Sequence, residues 1–414
     1  MHCRHCGAHL TLTLVDLGSA PPSNAYLNLE ALHAPELWFP LRVLVCEQCW
    51  LVQTEDFAEA ERLFAADYAY FSSFSMSWLD HCRRYVAEVV ERFDLHEESL
   101  VVEIAANDGY LLQYVQEHAI PCLGVEPTAS TATAARAKGI DIVEAFFGRT
   151  LARELLQTHR PADWIVANNV LAHVPDINDF VAGITTLLAP SGVVTFEFPH
   201  LLNLIAQTQF DTIYHEHFSY LSLTAVQRIL AVHGLQVFDV LAQPTHGGSL
   251  RVFAQRTDEG GQGISERVAT LLDQERAEGV TRSDYYHNFQ ERCDRIKNDL
   301  LIFLLEAKQC GRVVAGYGAA AKGTTLLNYA GVRSDLLRCV ADGNPAKQGK
   351  LLPGCRIPIV DPETLHHLRP DYVVILPWNL SGEIMQQLAG IGAWGGRFVT
   401  AVPSLRVIDA AGNG

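Results

Sequence analysis

Two histidines flank a glutamate in the segment FDTIYHEHFSYLS, which runs from Phe210 to Ser222. Histidine titrates near neutral pH, so a histidine in such a cluster can remove a proton from a substrate. The same spacing also suits two metal ligands or a hydrogen-bonded structural knot. On a strand, His215 and His217 would share one face, but the H-E-x-x-H pattern is absent and no third ligand is evident. A loop that carries a base is the favoured interpretation, and the other two stay open.

Two C-x-x-C pairs indicate a metal site near the start of the sequence. Cys3 and Cys6 form the first pair, and Cys46 and Cys49 form the second. Four thiolates close a tetrahedral site around Zn²⁺, which leaves no open position for a substrate. A redox pair, the main alternative, is expected at the start of a helix in a thioredoxin-like unit, and two distant pairs do not fit that pattern. The sequence therefore predicts a structural zinc in a small domain, residues 1–66.

The segment after the zinc-binding domain has the pattern of a nucleoside-binding domain. A strand and an acidic turn are followed by a second strand that ends in an acidic residue. SLVVEIAANDGYLLQYV has the pattern of a buried strand, a turn and a helix, and CLGVEP ends the next strand in Glu126. In open α/β sheets, ligands bind at the carboxyl ends of the strands, where an acidic residue takes the ribose hydroxyls. The turn lacks the three glycines of a pyrophosphate fingerprint. S-adenosylmethionine fits this pattern, because its sulfonium is cationic and it carries no phosphate. The candidate ligands of this cofactor are Glu103, Ala105, Asn107, Asp108, Gly109, Glu126 and Pro127.

The next two strands bring further polar side chains to the same edge of the predicted sheet. DWIVANNVLAHVPD delivers Asn168 and Asn169 at the end of a strand, with His173 one turn later. GVVTFEFPH places Glu197 near the end of the following strand. His173 is either a histidine at a helix start or a member of the site. The two asparagines are expected to contact the cofactor, and Glu197 the substrate.

Two other segments have both a functional and a structural interpretation. Phe147, in VEAFFG, forms either an apolar wall for the adenine or part of the core. His246 and Gly247, in THGGSLRVF, form either a turn that lines the substrate pocket or a plain hairpin turn. Sequence patterns alone do not choose between these alternatives.

An apolar stripe marks one long helix that leads into a second α/β unit, residues 285–414. The stripe recurs at steps of three and four residues, through Tyr285, Phe289, Cys293, Ile296, Leu300 and Phe303. GRVVAGYGAAAKGTTLLNY then predicts a strand, a turn built on Gly316 and Gly318, and a helix that begins near Lys322. Helix N-terminal amides and a lysine favour phosphate. The candidate contacts to a phosphate-bearing acceptor are Gly316, Lys322, Asp342 and Asn344.

Length and charge exclude several classes of function. With 414 residues, the chain is long enough for two or three domains. Its formal net charge is −16 and no basic block is present, so nucleic acid is a poor partner. No export signal or apolar membrane-spanning run is found, which favours a cytoplasmic protein. No apolar surface stripe stands out as an interface, so we expect a monomer.

The whole chain resembles the sugar C-methyltransferases of unusual-deoxysugar biosynthesis. The resemblance rests on the two cysteine pairs and on the segments EIAANDGYLL, YHEHFSYLS and GYGAAAKG. The resemblance implies an α/β protein with a small zinc-binding N-terminal domain. A central Rossmann-like class I methyltransferase domain, residues 67–284, and a C-terminal Rossmann-like domain that binds a nucleotide sugar would follow. The implied reaction is methylation by S-adenosylmethionine at carbon 3 of a nucleoside-diphosphate 4-keto-deoxysugar.

The resemblance also implies roles by position. His217 matches the general base, and Glu216 beside it either orients this base or touches the sugar. His215 is expected at the substrate. The tyrosine-rich segment DYAYFSSFS matches a segment that reaches into the pocket. The further catalytic candidates are Tyr214, His173, Tyr68 and Tyr70.

Two other functions compete with this interpretation. An NAD-dependent nucleotide-sugar oxidoreductase or epimerase would use the last domain for its cofactor, but it needs a fuller glycine fingerprint and a Tyr-x-x-x-Lys pair. A zinc-ribbon module that binds nucleic acid or protein would use the α/β domains as a scaffold. The negative net charge disfavours its nucleic-acid form.

Overall fold

The computed structural model describes residues 1–55, 57 and 71–410. Within these ranges the chain forms three β-sheets. The strands are β1 (Leu12–Ala20), β2 (Phe39–Val45), β3 (Val52–Thr54), β4 (Val101–Ile104), β5 (Cys122–Val125), β6 (Ile142–Val143), β7 (Ala162–Asn168), β8 (Leu188–Pro199), β9 (Ser219–Tyr220), β10 (Leu235–Gln243), β11 (Ser249–Arg256), β12 (Val314–Tyr317), β13 (Val340–Ala341), β14 (Ile359–Val360), β15 (Tyr372–Ile375), β16 (Arg397–Thr400) and β17 (Arg406–Asp409).

Helices cover the faces of the two larger sheets and connect the three units. They are α1 (Met76–Arg92), α2 (Leu112–Glu117), α3 (Ala129–Ala137), α4 (Arg149–Thr158), α5 (Ile177–Leu187), α6 (Leu201–Ala206), α7 (Leu223–Val232), α8 (Glu266–Glu278), α9 (Phe289–Gln309), α10 (Ala321–Tyr329), α11 (Glu363–Leu368) and α12 (Ser381–Gln387). No helix in the described part of the chain is long and apolar enough to cross a membrane.

The first sheet has the order β1-β2-β3-β9 and is antiparallel throughout. Its fourth strand, β9, comes from a distant part of the sequence, immediately after the HEH motif. Val52 pairs with Tyr220 and Gln53 pairs with Ser219. The N-terminal sheet is therefore completed by the segment that carries the candidate base.

The central sheet has the order β10-β11-β8-β7-β4-β5-β6. Strands β8, β7, β4, β5 and β6 are parallel, and β11 runs antiparallel between β8 and β10. Strand β4 is buried at all of its positions, as expected for a strand covered by helices on both faces. The carboxyl ends of β4, β5, β7 and β8 lie along one edge, and the predicted polar candidates follow these strands.

The last sheet has the order β14-β13-β12-β15-β16-β17, with only β17 antiparallel to its neighbour. Its strand, turn and helix around α10 agree with the prediction, except for Gly316. This glycine lies inside β12, where a Cβ would come within 3.0 Å of Val340 Cγ2. The turn glycine is Gly318, which has φ +86°. Close packing against β13 therefore explains Gly316, and turn formation explains Gly318.

The three units share their hydrophobic cores. Side chains of β1 and β2 pack with the long helix α9 and with the last sheet, in one cluster that includes Val43, Phe289 and Leu326. Cys3, Cys46 and Cys49 pack instead in the core of the central sheet. The N-terminal unit thus lies against both of the others, and the division at residues 66 and 284 stays a prediction.

Candidate active site

The four cysteines of the two C-x-x-C pairs lie together, as the sequence predicts. Their Sγ atoms all fall within 4.8 Å of one another, with Cys3 and Cys49 3.5 Å apart and Cys6 and Cys46 also 3.5 Å apart. Zn–S bonds of ~2.3 Å in a tetrahedron bring the sulfurs to about this separation. The four thiolates therefore fit a closed structural Zn²⁺ site.

The two pairs have matching backbone turns that aim their sulfurs at one point. The amide of Gly7 donates to the Cys3 carbonyl, and the amide of Trp50 donates to the Cys46 carbonyl, at 2.9 and 2.8 Å. Both donors have a left-handed conformation, with φ +74° and +64°. Gln53 Nε2 donates to Cys3 Sγ at 3.3 Å. Because Gln53 lies in β3, this bond joins the metal site to the strand that pairs with β9.

The acidic turn after β4 has the geometry of a ligand-binding loop. Ala105, Asn107 and Gly109 all have positive φ, between +48° and +75°. Glu126, at the end of β5, accepts from the amides of Asn107 and Thr128, both at 2.9 Å. Non-glycine residues with positive φ, here Ala105 and Asn107, concentrate at functional sites. Glu126 therefore holds the turn through its carboxylate, at the strand end where the sequence predicts the ribose contact.

Two buried side chains at this edge carry polar atoms that lack partners within the described ranges. Both carboxylate oxygens of Glu103 and both amide atoms of Asn168 have no hydrogen-bond partner at good geometry. Burial raises the pKa of Glu103 well above its ordinary value, and the Tyr110 hydroxyl, which lies near it but outside hydrogen-bonding geometry, acts in the opposite direction. Buried groups of this kind are normally paired, so these atoms are available to a ligand. A nucleoside carrying a cationic centre supplies the matching donors, acceptors and charge, and these residues thus fit S-adenosylmethionine.

The other cofactor candidates lie close to this turn. Asp108 Oδ2 accepts from the Ser73 amide at 3.3 Å and lies 3.8 Å from Lys138 Nζ. Pro127 is half-buried beside Glu126. The Phe147 ring packs edge-on against Phe180 at 5.6 Å. Phe147 therefore makes the core contact that was one of its two interpretations.

His217 holds one ring nitrogen against a backbone carbonyl. Its Nδ1 lies 2.7 Å from the Thr212 oxygen. Because a carbonyl oxygen can only accept, Nδ1 must carry the proton and Nε2 is left with the lone pair. The arrangement therefore presents Nε2 of a neutral imidazole as a base.

Aromatic rings surround this imidazole. Tyr214 lies 4.0 Å from it between ring centroids, His173 lies 4.6 Å away, and Tyr220 lies 6.1 Å away. Burial lowers the pKa of His217 well below its ordinary value, and the charges of His173, Lys322 and His246 act in the same direction. Burial also lowers the pKa of His173 to about 4. Both histidines are neutral at pH 7.

The other members of the HEH motif point to different neighbours. Glu216 is buried and accepts from Asn24 Nδ2 at 3.1 Å, and burial raises the pKa of Glu216 to about 6. His215 donates from Nε2 to the carbonyls of Phe39 and Pro40, at 3.3 and 3.2 Å. The segment forms a turn and not a strand, so His215 and His217 do not share a face. His215 thus attaches the motif to β2, whereas His217 faces a different set of neighbours.

A second group of side chains surrounds the end of β8. His246 lies near Asn169, with 3.5 Å between Nε2 and Nδ2, and its ring is 5.3 Å from that of Trp78. Burial and the Lys322 charge lower the pKa of His246 to about 4. His246 has φ +55°, which fits a tight turn beside the site. Gly247 has φ +90°, and a Cβ there would meet Trp378 at 2.6 Å.

Glu197 is fully occupied by protein partners. It accepts from His81 Nε2 at 3.0 Å, from Thr245 Oγ1 at 2.9 Å and from Arg251 Nη2 at 2.9 Å. Burial would raise the pKa of this carboxyl, but His81 and Arg251 hold it at about 2. Its contacts are those of a buried ion-pair network that joins α1, β8 and β11.

The C-terminal unit brings one lysine to this region. Lys322 Nζ donates to Asn379 Oδ1 at 2.9 Å and lies 4.7 Å from the centroid of the Trp378 ring. The Trp378 indole donates to Asp211 Oδ2 at 2.7 Å. Burial lowers the pKa of Lys322 and raises that of Asp211 to about 6. One indole therefore contacts both a cation, over its ring, and a carboxylate, at its N–H, next to the base-bearing loop, residues 210–217, named for its candidate base His217.

The remaining C-terminal candidates lie near the Gly318 turn. Asp342 Oδ2 accepts from the Ala319 amide at 2.7 Å, and Asp342 Oδ1 accepts from the Asn344 amide at 2.8 Å. Tyr26 donates from its hydroxyl to the Ala319 carbonyl at 2.6 Å. The N-terminal segment around Tyr26 therefore reaches this turn.

Sequence patterns did not identify several residues of this region. They are Asn24, Tyr26, Trp78, Asp211 and Trp378. Trp378 follows a strand end, so the rule that selected Asp342 could have found it. Nothing in the local pattern marks Asn24 or Tyr26. Tyr68 and Tyr70 lie outside the described residues.

Family models match three successive parts of the chain. A zinc binding domain model matches residues 3–64, a methyltransferase domain model matches residues 78–240, and a C-methyltransferase C-terminal domain model matches residues 244–403. Among solved structures, the magnesium protoporphyrin IX methyltransferase of Synechocystis PCC 6803 is 16% identical, covers 43% of this chain and 83% of its own, and has a TM-score of 0.35. An S-adenosylmethionine-dependent methyltransferase of Mesorhizobium loti is 17% identical, covers 43% of this chain and 100% of its own, and has a TM-score of 0.33.

A full-length relative is also found. C-methyltransferase NovU of Streptomyces niveus is 36% identical over 408 residues, which cover 99% of this chain and 97% of NovU. Identity at this level over the whole length establishes the family. This chain is a member of the C-methyltransferase family, with a zinc-binding N-terminal domain and an S-adenosylmethionine-dependent methyltransferase domain.

Proposed function

We propose that the protein methylates a nucleoside-diphosphate 4-keto-deoxysugar at a carbon beside the ketone, with carbon 3 as the expected position. The observation that carries this proposal is the 2.7 Å contact of His217 Nδ1 with the Thr212 carbonyl. It leaves Nε2 as a proton acceptor in a polar cluster between the methyltransferase sheet and the C-terminal unit. C-methylation next to a ketone needs such a base, because carbon must first lose a proton to become a nucleophile.

The residues near His217 suit the rest of this chemistry. Removal of the proton moves charge onto the ketone oxygen, which then needs a positive or hydrogen-bonding neighbour. Tyr214 lies against His217, and the Lys322 charge acts on the same imidazole. Tyr214 is the candidate for the direct contact, and the Lys322 charge would add long-range stabilisation. Tyr68 and Tyr70 stay candidates on the resemblance alone.

S-adenosylmethionine, when bound, supplies the methyl group from its sulfonium. The residues that would hold it are Glu103, Asp108, Glu126 and Asn168, with Asn169 beside them. Their task is to fix the cofactor so that it faces the carbon next to His217. Alignment of two reactants of this kind at ~3–3.5 Å accounts for a large share of enzymatic acceleration.

The C-terminal unit would hold the nucleotide part of the sugar. Lys322 is the second residue of α10, so its ammonium and the helix amides act on the same anion. We assign the diphosphate to this place. Gly316, Asp342 and Asn344, predicted as substrate contacts, support the turn through packing and through bonds to backbone amides.

The test is a mass spectrum of dTDP- and GDP-linked 4-keto-6-deoxysugars after incubation with the protein and S-adenosylmethionine. A gain of one methylene, about 14 Da, is expected, together with solvent deuterium at the carbon beside the ketone when the methyl donor is omitted. NMR of the product then distinguishes carbon 3 from carbon 5, since both flank a ketone at carbon 4. Absence of both mass gain and deuterium from every sugar would contradict the proposal.

A further inference from the structure

The base-bearing loop is tied to the C-terminal unit through Asp211 and Trp378. We propose that these two are positioning residues, which act through the Thr212 carbonyl to hold His217 with its proton on Nδ1. The inference rests on the proposed function of His217 as the base. The C-terminal unit would then have a second task besides substrate binding, because it would hold the tautomer of the His217 imidazole.

The first step of the argument is the contact between the two units. Trp378 Nε1 donates to Asp211 Oδ2 at 2.7 Å, and the Asp211 side chain is completely buried. The other oxygen, Oδ1, meets no partner of hydrogen-bonding geometry in the described part of the chain. The indole N–H is therefore the one side-chain donor that the described residues offer to this carboxylate. Loss of that donor would leave a buried carboxylate poorly satisfied and free to reorient.

The second step leads from this carboxylate to the base. Asp211 is the middle residue of a short 3₁₀ turn, Phe210–Thr212. The Ile213 amide closes this turn on the Phe210 carbonyl at 2.9 Å. The carbonyl of Thr212, the last residue of this turn, accepts from His217 Nδ1. A rotation of the turn would thus move the acceptor that selects the tautomer of His217.

Residues 209–213 are also attached to neighbouring elements by two other side-chain hydrogen bonds in the described part of the chain, and the Phe210 ring packs on Tyr329 at 5.5 Å. Thr325 Oγ1, in α10, donates to the Ile213 carbonyl at 2.9 Å. Gln209 Nε2 donates to the Gly247 carbonyl at 2.7 Å, and Gly247 packs on the Trp378 ring. Together with the Trp378–Asp211 bond, this region has three such hydrogen bonds. Trp378 and Thr325, which donate two of them, belong to the C-terminal unit, and the third ends at Gly247, which lies against the Trp378 ring. Trp378 is therefore one of the supports of the turn, together with the Phe210 and Ile213 side chains, which are buried in the core that includes Leu326.

The test variant is Trp378→Phe, which retains a ring beside Lys322 and Gly247 but removes the N–H. Its matched control is Trp394→Phe, because Trp394 lies in the same unit, is also half-buried and also donates its indole N–H, to Pro370 at 3.0 Å. Asp211→Asn and Asp211→Ala form the second pair. Asn keeps an oxygen that accepts from Trp378, whereas Ala removes it.

The first readout is the histidine ¹⁵N spectrum of the full-length protein, with the His217 signal assigned from its loss in His217→Asn. We expect an Nδ1–H tautomer for the wild type, Trp394→Phe and Asp211→Asn, and a mixture for Trp378→Phe and Asp211→Ala. Unchanged His217 signals in the last two variants would overturn the proposal. This readout needs no substrate, so it separates failure of the inference from an incorrect choice of sugar.

The second readout is the kinetics of methyl transfer. Trp378→Phe and Asp211→Ala should lower kcat by about tenfold to a hundredfold, with KM for S-adenosylmethionine within twofold of the wild type, since small misplacements of catalytic groups have effects of this size. Equal losses in Asp211→Asn and Asp211→Ala would mean that the charge, and not the hydrogen bond, matters, and would also overturn the proposal.

Discussion

The ring of His173 lies edge-on to the ring of His217, with 4.6 Å between their centroids and 68° between their planes. A positive charge on either ring would repel a positive charge on the other, and both residues are half-buried. The pKa values of both histidines are accordingly lowered. The proposed base is therefore neutral at pH 7 and stands next to a second neutral imidazole.

This pair predicts the pH dependence of proton removal. A base with a lowered pKa is active above that pKa and loses activity only as the pH falls through it. Deuterium exchange into the substrate should therefore keep its full rate at pH 6.5, where an unperturbed histidine is half protonated. The exchange rate measured by NMR from pH 8 to pH 5 checks this, and an acid limb centred at pH 6.5 or above would contradict it.

Stability should change over the same acidic range. His173 and His246 have pKa values of about 4 in the folded chain, below the ordinary value of 6.5. Their contribution to folding is complete above pH 6.5 and is lost as the pH falls toward 4, because the unfolded chain then binds more protons. Urea unfolding at several pH values should show the midpoint falling across this window. A constant midpoint would argue that the two imidazoles are not shielded.

Two neighbouring histidines provide a matched pair of variants. His217→Asn should reduce both deuterium exchange and methyl transfer by at least 10²-fold, the size expected for loss of a general base. S-adenosylmethionine binding should stay near normal. His215→Asn should instead retain transfer and lower the unfolding midpoint, since His215 bonds the carbonyls of Phe39 and Pro40. Equal loss of turnover in both variants would remove the special role of His217.

Glu126 is the residue proposed to contact the ribose of the cofactor. Glu126→Ala should weaken S-adenosylmethionine about tenfold or more by calorimetry, because the turn at Asn107 and the ribose contacts both lose their acceptor. Glu126→Gln, which keeps one acceptor oxygen, should lie between this variant and the wild type. An unchanged dissociation constant for Glu126→Ala would exclude the ribose assignment.

Zinc should act through stability. Cys46→Ser breaks a four-thiolate site, and loss of metal-binding energy is loss of folding energy. The variant should lose zinc and unfold at a lower temperature, whereas Cys310→Ser, at an exposed cysteine outside the cluster, should retain both properties. Metal content and thermal unfolding are the measurements. A zinc-free Cys46→Ser protein with normal thermal stability would contradict a structural role.

Glu197 offers a test between structure and substrate binding. Glu197→Ala leaves Arg251 buried without its carboxylate, and breaking one side of a buried pair costs about 3–5 kcal/mol. We therefore expect a large drop in the free energy of unfolding, measured by urea. A stable variant with weakened substrate affinity would instead support the substrate contact predicted from sequence.

Local patterns sufficed to predict some parts of this molecule and not others. The turn after β4 and the acid after β5 follow from buried strands and their polar ends, which neighbouring residues determine. The separation of His215 from His217 could not be predicted, because it depends on whether the segment is a strand or a turn. Asn24 reaches Glu216 across 192 residues of sequence, and only long-range packing brings them together. Trp378 is an intermediate case, since its place after a strand was a usable signal.

The pairing of β3 with β9 has a consequence for synthesis. Thr54 donates from its amide to the Phe218 carbonyl and from its hydroxyl to the His217 carbonyl. When the N-terminal unit leaves the ribosome, the outer edge of β3 is still unpaired, because its partner lies far downstream. The cysteines can bind zinc early in synthesis. The first sheet, however, gains its fourth strand, β9, only after the base-bearing loop has been made. A nascent chain interrupted before residue 219 would expose that edge to other chains, because the first sheet is complete only when the segment next to the proposed base has been made.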